Sequence, residues 1–490
     1  MGRRVIIVAP QQGIGANIDW TLRTVPEEQV YNTVLMRTMG AEVQETLGNL
    51  RNQHMVVVAG TGTGKTVLLV NAISEWLGVP REVWLQSMDI VHSNSEEIPN
   101  FTRDCMVIAT VPQVALLWEQ EGFIDSDTLV VLDEIHLSST ALELAQGLAL
   151  RNEAAIMCGS ATVDPTYMIK YFEAKAILCE ANDPTCVTAL NLTVKSPMQI
   201  IDDLAPQIIE EKLGVLVFLP TRLDTERAVA ALRAKYPEKI RCNFYHGGES
   251  PQRLRRMLMM TNGPFIYCMT RIGASSLNVQ NLSIVIAKDE MITEVVRGNR
   301  RVLVRCPLSD NELLQMIGRV KNRAKHGQVF VSSKREIELD KLTPKPIVYE
   351  LNGDLEEVAF TAARLHINIT ELRLPGEPDL KLYQDQVNWL IGRDIITMRQ
   401  GRPYLTKYGR KVDEHRLGDV RWAEIITHAY ANPRYASLID MLLLLNCAAS
   451  LSGWVKESVR KTDWFVEGSD HLTLYNLLAV AINQSRIGYT

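Results

Sequence analysis

The sequence predicts an α/β chain: two tandem, doubly wound parallel-sheet domains followed by a helical part. Three observations carry this expectation. Short β-branched runs alternate with helical spacers, as strand–helix–strand units do. The series occurs twice, at similar length. Past Thr343 the apolar residues take up helical spacing instead. The 490 residues are enough for about three domains at ~150 residues each.

In chain order, a strand at Val5–Ala9 comes first. Gly13-Ile14-Gly15 after it reads as a structural turn, because the third glycine and the downstream acid of a dinucleotide fingerprint are missing. The first series is MVVVAG (55–60), EVWLQS (82–87), CMVIAT (105–110), TLVVLD (128–133) and AIMCGS (155–160). The second is VLVFLP (215–220), IRCNFY (240–245), PFIYCM (264–269), LSIVIA (282–287) and QVFVSS (328–333). Helices are expected over 355–365, over 382–392 and from Arg421 onward. Pro344 and Pro346 mark a junction, and Pro375-Gly376 with Pro378 marks a turn inside the helical part.

Composition narrows the class. Apolar residues at 46% and charged residues at 22% exclude wholesale disorder and a fibrous repeat. A net charge of −5 argues against a uniformly basic coat while leaving room for a local basic groove. The longest apolar stretch, Met441–Ala449, contains Asn446 and falls well short of the ~18 residues of a bilayer-spanning helix. The eight cysteines include no CxxC pair, and no export signal precedes them. Core thiols in a reducing, cytoplasmic compartment are the expectation, with no membrane partner.

Two motifs carry chemistry. Ala59-Gly60-Thr61-Gly62-Thr63-Gly64-Lys65-Thr66 follows a strand and opens a helix, which is the setting of a phosphate-binding loop. Glycines let backbone N–H groups face phosphate oxygens, Lys65 brings a point charge to the β/γ-phosphates, and the Thr66 hydroxyl joins a Mg²⁺ shell. Asp133-Glu134-Ile135-His136 follows the apolar run Leu129–Leu132, at the strand end where doubly wound sheets bind ligands. There Asp133 suits the metal and Glu134 suits the attacking water. His136, alone beside two carboxylates, reads as part of a nucleotide-sensing surface rather than as a metal ligand.

The phosphate loop, DEIH (133–136), Gly159-Ser160-Ala161-Thr162 and Gln315–Arg323 (QMIGRVKNR) resemble, in this order, motifs I, II, III and VI of superfamily 2 helicases. TRIGASSLNV (270–279) resembles motif V of the DEAH/RHA group, and VLVFLPTRLDTERAVAAL (215–232) its motif IV region. YLTKYGR (404–410) is similar to the segment closing that family's winged-helix domain, and GSDHLTLYN (468–476) to a stretch of its helical ratchet domain. The resemblance covers roughly residues 40 to 490.

It implies an N-terminal extension (1–40), RecA-like domains at 41–185 and 186–342, a winged helix at 343–412 and a ratchet-like helical domain at 413–490, with no room for the family's oligonucleotide-binding barrel after Thr490. It implies ATP or another NTP with Mg²⁺. Gly60, Thr61, Gly62, Thr63, Gly64, Lys65, Thr66, His136, Gly273 and Ser276 would meet the nucleotide, and Thr66 and Asp133 the metal. Lys65, Arg319 and Arg323 would neutralise developing charge while Gln315 and Glu134 position water. Ser160 and Thr162 would couple phosphate state to domain closure. Thr110, Thr270, Arg300 and Arg301 would track the nucleic-acid backbone. The implied activity is NTP-dependent 3′-to-5′ helicase or translocase movement on single-stranded or partly duplex RNA, with DNA as the lesser substrate. The compact plan suits a viral or bacterial enzyme.

The chain also departs from the family. Motif Ia, TQPRR in relatives, is Leu85-Gln86-Ser87-Met88-Asp89, without the arginine expected on the nucleic-acid backbone. Motif Ib, usually TDG, is Thr110-Val111-Pro112, and in motif VI Asn322 replaces the second arginine finger, with Arg323 beside it. Between motifs V and VI, Ile284–Glu290 and Arg300–Cys306 are expected to pair across Val295–Asn299, as the family's wedge hairpin does. The departures sustain an alternative: a degenerate motor acting as a nucleic-acid-binding scaffold or remodeller. A small-molecule phosphotransferase, a third class, has no use for the 315–323 motif.

Overall fold

The computed structural model describes residues 2–439 except 11, 61, 92–103, 121, 162, 180–184, 247–248, 250, 272–278, 298–299, 322–323 and 416–419, and beyond them 442, 462–467, 472–473, 475–477 and 479–480. The chain divides into two compact units, Met1–Gly353 with Leu372–Glu377, and Asp354–Glu371 with Pro378–Thr490.

The first unit holds two parallel sheets. One has seven strands in the order β3-β4-β1-β5-β6-β2-β7, with β1 Arg4–Val8, β2 Met55–Ala59, β3 Met88–Val91, β4 Val107–Thr110, β5 Thr128–Leu132, β6 Ala155–Ser160 and β7 Lys175–Cys179. The other has six in the order β10-β11-β9-β12-β15-β8, with β8 Val187–Thr193, β9 Gly214–Phe218, β10 Arg241–Tyr245, β11 Phe265–Met269, β12 Leu282–Lys288 and β15 His326–Ser332. Near-continuous apolar strands are what a sheet covered on both faces requires. In β1, Val5 and Ile7 enter one core while Ile6 and Val8 enter the other. In β9, Val215 and Val217 face one side and Leu216 and Phe218 the opposite side.

Five expectations need correction. Residues 1–40 are no appendage: β1 pairs in parallel with both β4 and β5, and helices Gln12–Thr24 and Val34–Gly48 belong to the same core. The run VIIVA is a central strand, which explains its lack of polar alternation. Gly13 and Gly15 lie inside helix Gln12–Thr24 rather than in a turn. The expected strand at 82–87 is helix Arg81–Gln86, entered from extended Pro80; Trp84 is buried while Val83 is 42% exposed, a one-sided burial that a short helix gives. The hairpin partner of β14 (Arg300–Cys306) is β13 (Met291–Arg297), paired antiparallel from Met291↔Cys306 to Arg297↔Arg300. Residues 284–288 belong instead to β12, whose end is fixed where Asp289 accepts from Arg335 at 2.6 and 2.8 Å and from Ser333 at 2.6 Å.

Residues 344–353 and 372–377, expected with the helical part, fold with the first unit. Glu143 Oε1 accepts from Ser138 Oγ at 2.9 Å and from the Glu350 and Leu351 N–H groups at 2.6 and 3.2 Å. Tyr171 donates to Arg373 O at 2.7 Å. Seven cysteines among the described residues are free thiols, and no described helix is long and apolar enough to cross a membrane.

The second unit contains helices Leu355–Leu365, Leu380–Gly392, Lys407–Glu414 and Val420–Ala431 and the antiparallel hairpin β16 (Ile396–Arg399) and β17 (Arg402–Leu405). Here the LTxxG pattern has a physical reading. Thr406 caps helix Lys407–Glu414 by accepting from Gly409 N at 2.8 Å, and a Cβ on Gly409 would collide with Ile395 O. Most of the expected ratchet stretch (468–471 and 474) lies outside the described residues.

Candidate nucleotide and nucleic-acid sites

The sheet order β5-β6-β2 brings three loops side by side at one edge: Asp133–His136 after β5, Ser160 ending β6, and 60–64 after β2. The phosphate loop closes on itself through Thr63 Oγ1, which donates to Gly60 O at 2.8 Å. Gly64 is the N-cap of helix Lys65–Leu77 with φ 107°, a left-handed conformation that disfavours any side chain. A Cβ there would also run into Thr33. Lys65 Nζ donates to Ala59 O at 2.6 Å and to Gly60 O at 3.2 Å, which holds the ammonium against the loop. Thr66 is half-buried one residue further on. Thr33, which sequence reasoning passed over, also caps helix Val34–Gly48, and Leu35 N donates to Thr63 O at 2.9 Å. A Thr ahead of an apolar run signals a helix start, but nothing local shows that the helix braces the loop.

Asp133 and Glu134 are buried. Burial, reinforced by the Glu134 charge, holds the Asp133 carboxyl well above the usual carboxylate range, with Lys65 pulling the other way. Asp133 Oδ2 has no hydrogen-bond partner among the described residues. A buried oxygen left in this state fits a hard cation taken together with the Thr66 hydroxyl. Glu134 has φ 49°, a strained conformation for a non-glycine residue and a frequent mark of functional sites.

His136 ties these groups together. Its Nδ1 lies 3.1 Å from Ser160 Oγ and 3.4 Å from Glu134 Oε2, and Gln315 Nε2 donates to its Nε2. A ring that accepts at Nε2 carries its proton on Nδ1. Burial keeps it neutral by lowering its pKa, helped by Lys65 and Arg319 and opposed by Glu134. Gln315 sits in helix Asp310–Ile317 of the second domain, so this hydrogen bond spans the two sheets. Arg319 is 2% exposed and shares with Gly62 the wall of a cavity of about 750 Å³, lined also by Gln207, Asn281, Lys325 and His326. That volume is in the range of small-molecule sites.

The expected nucleic-acid residues are less assembled. Thr110 ends β4 at 0% exposure, and its hydroxyl donates to Val91 O at 2.8 Å, so it does not face a ligand. The sequence places it correctly at a strand end but cannot show that its hydroxyl is spent on the neighbouring edge strand. Thr270 is half-buried after β11, its N–H on Tyr245 O at 3.3 Å. Arg300 and Arg301 open β14, the former opposite Arg297. Thr61, Thr162, Gly273, Ser276 and Arg323 lie outside the described residues.

Among solved structures, the chain is similar to the crystal structure of the E. coli DExH-box NTPase HrpB, with a TM-score of 0.60 at 14% identity over 81% of this chain and 53% of that one. It is similar also to the E. coli DEAH/RHA helicase HrpB, with a TM-score of 0.61 at 15% identity over 79% of this chain and 54% of that one. This chain has a DExH-helicase fold. Its two parallel-sheet domains are the tandem RecA-like domains of that fold, with helices following. The chain spans about half the length of those structures. No family model and no curated protein matches the sequence.

Proposed function

We propose that the chain is an NTP hydrolase, with ATP the expected substrate, that moves 3′ to 5′ along single-stranded nucleic acid, RNA in preference to DNA, with its helical unit supplying winged-helix and ratchet-type domains. The observation that carries this reading is the Gln315–His136–Glu134 connection. It ties the second domain to the buried carboxylates, so that a change at the nucleotide alters how the domains meet. Glu134 is the base that takes the proton of the attacking water, and Gln315 with His136 holds that carboxylate in place. Lys65 and Arg319 meet negative charge on the transferring phosphoryl group from opposite domains. When bound, Mg²⁺ held by Thr66 and Asp133 supplies further neutralisation there. The buried Thr110 and the missing motif Ia arginine favour, as a second reading, a nucleic-acid-binding remodeller with a weakened motor.

NTP turnover measured with and without RNA and DNA homopolymers tests the proposal. The motor reading expects turnover stimulated by single strands, RNA above DNA, and faster unwinding of duplexes with 3′ tails than with 5′ tails. Binding without any hydrolysis contradicts it and selects the remodeller.

A further inference from the structure

Residues 395–412 contain five cations and no acid, in a chain whose net charge is −5. They form the β16–β17 hairpin and the start of helix Lys407–Glu414. Two neighbouring arginines are spent structurally: Arg402 on Glu371 at 3.0 Å and Arg364 on Asp413 at 3.0 Å. Arg399, Lys407, Arg410 and Lys411 are exposed and, among the described residues, engage no acid. The Tyr404 ring, on β17 between Arg399 and Lys407 in the chain, stacks on His366, with centroids 4.6 Å apart and planes 26° from parallel. The Arg399 guanidinium stands 5.7 Å from the Tyr404 ring, and burial, with the Arg410 charge as a second cause, lowers the pKa of His366.

We propose that the His366–Tyr404 stack and the cations Arg399, Lys407, Arg410 and Lys411 form a second binding surface for single-stranded nucleic acid, outside the two-sheet motor. Exposed cations that engage no described acid, at a hairpin and a helix start, attract backbone phosphates whatever the base sequence. A flat aromatic stack beside them extends onto a base face, and such a face is open in a single strand and closed inside a duplex. An acidic peptide or an anionic membrane would use the charges but leave the stack without a role. The proposal takes its partner class from the proposed function and asks nothing of NTP hydrolysis.

The test uses the full chain without nucleotide, titrated against dye-labelled single-stranded oligo(U) and a duplex of equal length across a salt series. Substituting Arg399→Ala, Lys407→Ala and Arg410→Ala together is expected to make the slope of log affinity against log salt shallower by about 2, at roughly 0.7 per phosphate contact. Tyr404→Leu is expected to weaken single-strand binding by about tenfold, the scale of one lost stack, while Tyr404→Phe keeps it. NTP turnover without nucleic acid stays unchanged in every variant. An unaltered slope and affinity in the triple variant overturns the proposal, as does a duplex bound as tightly as the single strand. A triple variant that binds like wild type in a chain that hydrolyses NTP sinks the surface and leaves the motor standing. Loss of binding in a chain that never hydrolyses NTP does the reverse.

Discussion

The first domain contains two strand–loop–helix units built on the same plan. β1 is followed by helix Gln12–Thr24, and β2 by helix Lys65–Leu77. Both strands are apolar and buried, and both pair in parallel on two sides. After β1 the chain stays on the ladder, with Ala9 N donating to Thr110 O at 2.8 Å. After β2 it keeps one more ladder bond, Gly60 N donating to Cys179 O at 3.4 Å, then folds on itself through Thr63 and turns left-handed at Gly64. Only the second arrangement brings a lysine back against loop carbonyls. Position in a sheet thus provides the edge, and loop length with one left-handed residue shapes the loop that we propose holds phosphate.

The comparison breaks most severely at Lys65. Lys65→Ala is expected to abolish NTP hydrolysis, measured as phosphate release, because its ammonium is the charge held against the loop at Ala59 O and Gly60 O; measurable turnover would detach the loop from the chemistry. Arg319→Ala comes next, with a loss on the order of 10³–10⁵ in turnover if it acts as the finger its burial beside Gly62 suggests. Gly64→Ala sharpens the contrast itself. Left-handed strain of about 1–3 kcal/mol and the collision with Thr33 should weaken nucleotide binding and lower the unfolding temperature. Trp20→Ala, at a 40% exposed position on the β1 unit's helix, should leave nucleotide affinity within about twofold, as surface changes do.

Much of this was legible in the sequence, though not uniformly. Strands such as 155–160 and 265–269 announce themselves as short apolar runs, and the loop at 59–66 carries its own grammar of glycines and Lys-Thr. What local pattern cannot convey is which strands become neighbours. VIIVA was readable as a strand, yet its place between β4 and β5 follows from nonlocal pairing that leaves no mark in the run itself. The hairpin failed for a related reason: consecutive apolar stretches at 282–288 and 291–297 differ only in what they pair with, and the break at Asp289 depends on Arg335, distant in sequence. Helix Arg81–Gln86 was hidden by the β-branched, aromatic composition of its residues, which tertiary packing of Trp84 overrode.

The smallest expected effect lies away from the nucleotide. Burial pushes Glu143 up to about 7 from an ordinary value near 4.5, against the pull of its three hydrogen bonds. The folded state therefore favours the protonated carboxyl. Its contribution to stability is fully present below about 4.5 and is lost as pH rises through about 7. Glu143→Gln should flatten the pH dependence of the unfolding free energy across that window in denaturant titrations, and an unchanged slope would remove Glu143 as its source.

The assignment of Glu134 as the base acting beside Lys65 and Asp133 is tested most directly by one paired measurement: nucleotide affinity and NTP turnover of Glu134→Gln against wild type, in the presence of Mg²⁺. The substitution leaves Lys65, Thr66 and Asp133 in place and removes only the proton acceptor. Nucleotide affinity close to wild type with turnover stalled is the predicted result. Near-normal turnover in Glu134→Gln would contradict the assignment.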